Sequence, residues 1–193
     1  MKYIFLFITF LLFISAVMNA QSLEESWQSE QNFRKTGMTV LGGWAAANIA
    51  TGLVFRSQTE GTDRYFHEMN AIWNTVNLGL AAAGYFSARK MQKPQSAFDL
   101  YKVQNKFDKT LLFNAGLDVA YIATGLYLTE RAKGDAEKYA KLKGYGISVI
   151  LQGAFLLIFD LSMVLVHKQF LVADDMVLSF RASPGQLGAS LTF

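Results

Sequence analysis

The sequence contains no cysteine. That excludes disulfide frameworks, thiolate metal sites and thiol nucleophiles, and it fits an exported protein that does without disulfides. Proline is nearly as scarce, with two residues against fifteen glycines, a balance suited to helices packed closely on one another. Strong charge of one sign is also missing. The net charge is +3, and no basic patch is interleaved with aromatics, so nucleic acid is not expected as a partner. No P-loop, dinucleotide fingerprint or nucleophile elbow occurs, and Glu68 beside His67 lacks the spacing of a zinc motif. His67 and His167 are the only histidines. They fall at opposite ends of the expected helices, so each reads as a boundary residue rather than half of a metal site. The adjacent Asp174 and Asp175 suit a solvated turn. An enzyme, a metal and a cofactor are therefore not expected.

What is present is apolar sequence: 52% of 193 residues are hydrophobic, which suits one compact unit. The N-terminus, "MKYIFLFITFLLFISAVMNAQ", has Lys2, an apolar run and small residues up to Ala20. This is the pattern of a secretory signal, residues 1–20, with the following chain delivered to the non-cytoplasmic side. Four further apolar segments follow, at 37–55, 69–88, 110–128 and 145–166. Each is about the ~20 residues needed to cross a hydrocarbon core, and only Asp118 and Asp160 place acidic charge inside them. Four membrane helices are expected over residues 21–168. Without the signal the chain averages near-neutral hydropathy, which keeps a soluble bundle as the alternative. Counting Lys and Arg for a non-cytoplasmic mature N-terminus puts seven on the cytoplasmic side, from Arg56 to Lys143, against ten opposite. That is the reverse of the usual bias, so orientation rests on the signal alone.

An internal repeat organises these helices. "NFRKTGMTVLGGWAAANIATGLVF" from Asn32 aligns with "KFDKTLLFNAGLDVAYIATGLYL" from Lys106, pairing Phe33 with Phe107 and Lys35 with Lys109. "IATGL" occurs in both, and Asn77 falls opposite Gln152. The two units, about 32–90 and 106–168, each form a helical hairpin in the same orientation. Ser22 with Glu25 suits a helix start, Pro94 a first turn, and Asp135 the opening of the fourth helix. Gly42/Ala46/Ala50, Gly79/Ala83 and Gly116/Ala120 provide small residues at spacing four for close helix approach.

Polar residues inside the apolar segments form stripes. His67, Asn70, Asn74 and Asn77 share one face of the second helix, and Thr110, Asn114, Asp118 and Tyr121 one face of the third. Asn48 is the repeat partner of Tyr121, and Gln152 and Asp160 lie on the fourth helix. Lipid cannot satisfy such groups, so these faces are expected to turn inward and bond between helices. A sharper alternative makes Asp118, with Asn114 and Tyr121, part of an ion or proton path, because an ionisable group within a membrane is costly and often functional. No Lys or Arg in the spans can pair with Asp118 or Asp160. A path would need a cavity leading to Asp118; a purely structural role would need a dry core with every polar group paired.

The tail, 169–193, alternates around Ser183-Pro184-Gly185 and ends at Phe193, which suggests a small hairpin whose edge could take up a partner protein. "FHEMNAIWNTVNLGLAAAGY" together with the paired "IATGL" segments resembles an uncharacterised family of small exported bacterial membrane proteins. That resemblance implies fold and location but no catalytic residues, cofactor or substrate. The expectation is an all-α four-helix transmembrane bundle built from a duplicated hairpin, multi-pass in a bacterial envelope, with lipid as its surroundings and homo-oligomers open to it. A structural or accessory role ranks first and a small transporter or ion-conducting subunit second.

Overall fold

The computed structural model describes the backbone of residues 2–168, 177–183 and 186–192 and the side chains of residues 23–168. The expected turn at 184–185, the Asp174–Asp175 pair and Phe193 lie outside the described residues. Four helices make up the fold: α1 (Lys2–Arg56), α2 (Gly61–Arg89), α3 (Ala97–Ala132) and α4 (Tyr139–His167). Three are long and apolar enough to cross a membrane: α1 over Leu23–Arg56, α3 and α4. The fourth expected span, α2, is not among them. At 29 residues α2 is long enough, but Asn70, Asn74 and Asn77 on its inner face, with Arg64 and Glu68 near its start, lower its apolar content below the others.

Helix ends also differ from expectation. α1 runs without a break through Ser22, so no cap forms there. α3 opens after Ser96, whose hydroxyl oxygen accepts from the Asp99 amide at 3.1 Å and donates to the Asp99 carboxylate at 2.8 Å; Pro94 lies in the preceding connection. That side-chain bond satisfies one of the orphan amides of the first turn. Asp135 accepts from the Lys138 amide at 3.0 Å, which shapes the turn ahead of α4 rather than opening the helix itself. Gly61, with φ of 57°, supplies the left-handed residue where α2 begins.

α1 packs antiparallel on α2 and α3 antiparallel on α4, and the two hairpins meet chiefly through α2 and α4. The intimate contacts are made at glycine. A methyl group on Gly146 would come within 2.7 Å of the Gly125 carbonyl oxygen and 2.9 Å of the Thr129 amide, and one on Gly153 within 2.9 Å of the Asp118 carbonyl oxygen. Gly144 faces α2 in the same way, 2.7 Å from the Phe66 amide, and Gly52 faces the His67 carbonyl at 2.8 Å. The small-residue rows read from the sequence do not make these contacts. Gly79 and Gly116 have nothing within 4 Å, and Ala46, Ala50, Ala83 and Ala120 are exposed. Spacing four places residues on one face but does not say which face meets a neighbour.

Large apolar side chains cover the outside of the bundle. Phe113 and Ile158 are each 67% exposed and Leu165 66%, while much of the interior is polar. Gly146→Ala should therefore destabilise the α3–α4 pair, because carbonyl and amide groups cannot move aside. Gly116→Ala should stabilise α3 by up to about 1 kcal/mol through helix propensity alone. Unfolding midpoints in detergent would test this, and equal shifts for the two variants would contradict the packing described.

Candidate functional site

Two polar assemblies and one cleft occupy the interior. The first joins α1, α2 and α4 at mid-height. The Trp44 indole donates to the Gln152 side-chain oxygen at 3.1 Å, and the Gln152 amide donates in turn to the Asn70 side-chain oxygen. Asn70 donates to the Asn48 oxygen at 2.8 Å. Asn74 donates to the Asn70 carbonyl at 2.8 Å, and Asn77 reaches the Asn74 oxygen at 3.3 Å. The ring of Trp44 lies flat on Phe155, centroids 3.8 Å apart. Asn48, Asn70, Asn74, Asn77 and Gln152 thus form one chain of amides, each satisfying the next where lipid could not. This is the interhelical bonding that the second-helix stripe implies.

The second assembly lies at one end of the bundle, beyond the apolar stretches 37–55, 110–128 and 145–166. Glu30 and His167 are fully buried there, and Asp108 nearly so. His167 Nε2 lies 2.7 Å from Glu30 Oε2, and its Nδ1 lies 2.5 Å from Asp108 Oδ1. Both neighbours are acceptors, so both ring nitrogens must donate, which makes the ring an imidazolium. Arg34 donates from Nε to Glu30 Oε1 at 2.5 Å and to the Val103 carbonyl at 3.1 Å, with its guanidinium 4.0 Å over Phe107. Gln104 donates to Glu30 Oε2 at 3.2 Å. Two carboxylates and two cations balance, so the cluster is buried without net charge. Burial works against the His167 cation, but the hydrogen bond and charge of Glu30, then of Asp108, outweigh it and raise the pKa above the ordinary 6.5. Burial likewise works against Glu30, yet His167 and Arg34 hold its carboxyl below the usual 4.5. The boundary-residue reading of His167 is corrected: it ends α4, but as the centre of a buried ionic cluster that ties α1, α3 and α4 together.

The cleft is a cavity of about 420 Å³ walled mainly by α2 and α3, with Met38 and Leu41 of α1 and Leu156, Phe159 and Asp160 of α4 behind. Trp73 and Tyr121 approach across it edge to face at 4.8 Å. Asp118 and Asp160 both line the cleft and are both buried, so two carboxyl groups share one wall with no Lys or Arg among the described lining residues. The second Asp118 oxygen, Oδ2, is buried with no hydrogen-bond partner. Asn77 and Asn114 also line the cleft. Thr110, expected to point inward with Asp118, is exposed at its rim and bonds back to the Lys106 carbonyl at 3.0 Å.

The third-helix stripe thus meets a cavity instead of a partner stripe. Asp118 and Asp160 come together at the cleft although nothing in their spacing pairs them, and Asp160, expected to face inward, is 6% exposed. The cluster of Glu30, Asp108, Gln104 and His167 went unread, because each member lies outside the apolar segments. Its one sequence signal is the repeat, which puts Phe33 opposite Phe107. Those rings meet edge-on at 6.5 Å and flank His167 at 5.0 and 5.3 Å. Among the described residues no group of three or more acidic or imidazole side chains is arranged to hold a metal ion.

Fold and interior define an all-α four-helix protein with three helices able to span a bilayer and an acid pair at a cleft. Residues 40–161 match the family of unknown function DUF6992, and the chain belongs to that family. The resemblance read from "FHEMNAIWNTVNLGLAAAGY" and the "IATGL" segments holds as membership of an uncharacterised family. No protein with a curated description matches the chain, and no solved structure does.

The ionic cluster sets a pH dependence. The Glu30 contribution, from a depressed pKa, is fully present above 4.5 and fades as pH falls through the folded-state value. The His167 contribution, from a raised pKa, is fully present below 6.5 and fades as pH rises through the folded-state value. Thermal stability in detergent should therefore be highest between those limits. His167→Gln should lower stability by about 3 kcal/mol, since it leaves two buried carboxylates short of a cation, and should lessen the alkaline decline. A wild-type midpoint that climbs steadily from about pH 6 to pH 9 would contradict this assignment.

Proposed function

We propose that the chain is a multi-pass membrane protein of a bacterial cell envelope, exported by its N-terminal signal, whose Asp118–Asp160 pair serves as a solute or proton site. The outward apolar faces support the membrane reading. A soluble bundle would turn Phe113, Ile158 and Leu165 inward and its amides outward, the reverse of what is found. One observation carries the functional part: Asp118 Oδ2 is buried and unpartnered at the wall of a cavity. A purely structural role requires that oxygen to be bonded and the space filled, as the amide chain is.

The structural reading keeps its own support in the amide chain and the ionic cluster, whose members bond to one another; besides Asp118 Oδ2, His67 Nδ1 and Ser148 Oγ are buried without a hydrogen-bond partner. It accounts for how the hairpins hold together and leaves the acid pair unexplained. The contact of Phe33 with Phe107 supports the duplicated hairpin, since matched residues of a parallel repeat approach one another near its axis. Backbone pairing of β1 (Val177–Ser183) with β2 (Gln186–Thr192) supports reading the tail as a hairpin that offers an edge to a partner.

A hydrophobic carbodiimide adds to a protonated carboxyl reached from the hydrocarbon, so it reports the acid pair directly. Membranes containing the full chain should be labelled at Asp118 or Asp160, found by mass spectrometry of peptides. Asp118→Asn should confine labelling to Asp160, Asp160→Asn should confine it to Asp118, and only the double variant should lose it, because each buried carboxyl is reactive on its own. An unlabelled wild-type pair would overturn the solute-site reading.

A further inference from the structure

We infer that the cleft between α2 and α3 takes up a lipophilic organic ammonium ion, whose charged nitrogen is held by Asp118 and Asp160. This rests on the solute-site reading above and adds the chemistry of the solute. Charge is the first argument. Among the described residues Asp118 and Asp160 are the only acidic or basic groups lining the cleft, so any charge on its wall is negative. The unpartnered Asp118 Oδ2 lacks a donor, which an ammonium N–H supplies and an anion or a hydrocarbon does not.

The walls decide what kind of cation. Apart from the acid pair, the polar groups of the lining are the Asn77 and Asn114 amides, the Thr110 hydroxyl, the Tyr121 phenol and the Trp73 indole N–H. That set is too sparse to replace the water shell of an inorganic ion, and no third carboxylate or imidazole completes a metal shell among the described residues. Trp73, Phe107, Tyr121 and Phe159 instead line it with ring faces and edges, surroundings that suit an organic cation with an apolar body. The volume, about 420 Å³, falls within the range of small-molecule pockets, roughly 300–1,000 Å³.

The route in follows from the rim. Val76, Leu80 and Leu117 line the cleft and are exposed, so it opens sideways onto the surface that faces lipid. The neighbouring opening at the bundle end is lined by Arg34 and Lys106, whose charge repels a cation. A ligand that partitions into hydrocarbon reaches the pair by the first route and not by the second.

The test uses the full chain in lipid nanodiscs and three probes of one shape: 4-phenylbutylammonium, the neutral 4-phenylbutanol and the anionic 4-phenylbutyrate. Calorimetry should show saturable binding of the ammonium alone, about tenfold or more weaker in Asp118→Asn, and the ammonium should protect the pair from carbodiimide. Asp160→Asn and Trp73→Leu give the same test should Asp118→Asn fail to fold. Equal binding of the alcohol, or ammonium binding unchanged in the folded variants, would overturn the inference. Labelling of the pair without any ammonium binding would overturn this inference and leave the solute site standing. Absence of both would remove the two together.

Discussion

A polar side chain among apolar helices has no water to fall back on, so it must find its partner on another helix or remain unsatisfied at a cost of about 1–3 kcal/mol. The architecture follows from how three sets of residues meet that demand. The amides of α1, α2 and α4 hand hydrogen bonds along a chain from Trp44 to Asn77. Glu30, Arg34, Asp108 and His167 neutralise one another. Asp118 and Asp160 meet at a cleft and leave an Asp118 oxygen without a hydrogen-bond partner. Hydrophobic burial does less here than in a soluble domain, because the largest apolar side chains face outward.

The contrast between the second and third sets separates holding from handling. Both are buried acidic sites that bridge α3 and α4. In the ionic cluster every carboxylate has a cation within hydrogen-bond distance, and Phe33 and Phe107 seal the imidazole between their rings. At the cleft no Lys or Arg stands among the described lining residues, and the surrounding rings wall a space instead of filling it. The same residue type therefore has opposite consequences according to whether a counter-charge is built into the neighbouring helix.

Helix number, hairpin pairing and the inward turn of Asn70, Asn74, Asn77 and Asp118 were all legible from sequence, because a polar residue at spacing three or four in an apolar helix has one reasonable place to go. Three things were not. The apolar content of α2 was overread, since the stripe that marks its inner face also lowers its hydropathy. The close-packing glycines were misassigned: periodicity defines a face, whereas Gly125 against Gly146 depends on the register between two helices. The cluster at Glu30 was invisible because its members come from α1, α3 and α4, and each taken alone looks like an ordinary charge near a helix end.

The placement of glycines and charges along α4 has a mechanical consequence. Gly144 sits against α2 near one end of α4, and His167 joins the ionic cluster at the other, 23 residues and about 35 Å away along the axis. One end is a smooth bearing of backbone on backbone, held by van der Waals contact that survives small rotations. The other is a charged latch whose strength falls steeply once its bonds lengthen. The two hairpins are thus joined by close packing at one end and by charge at the other, and the acid pair with its cleft lies between.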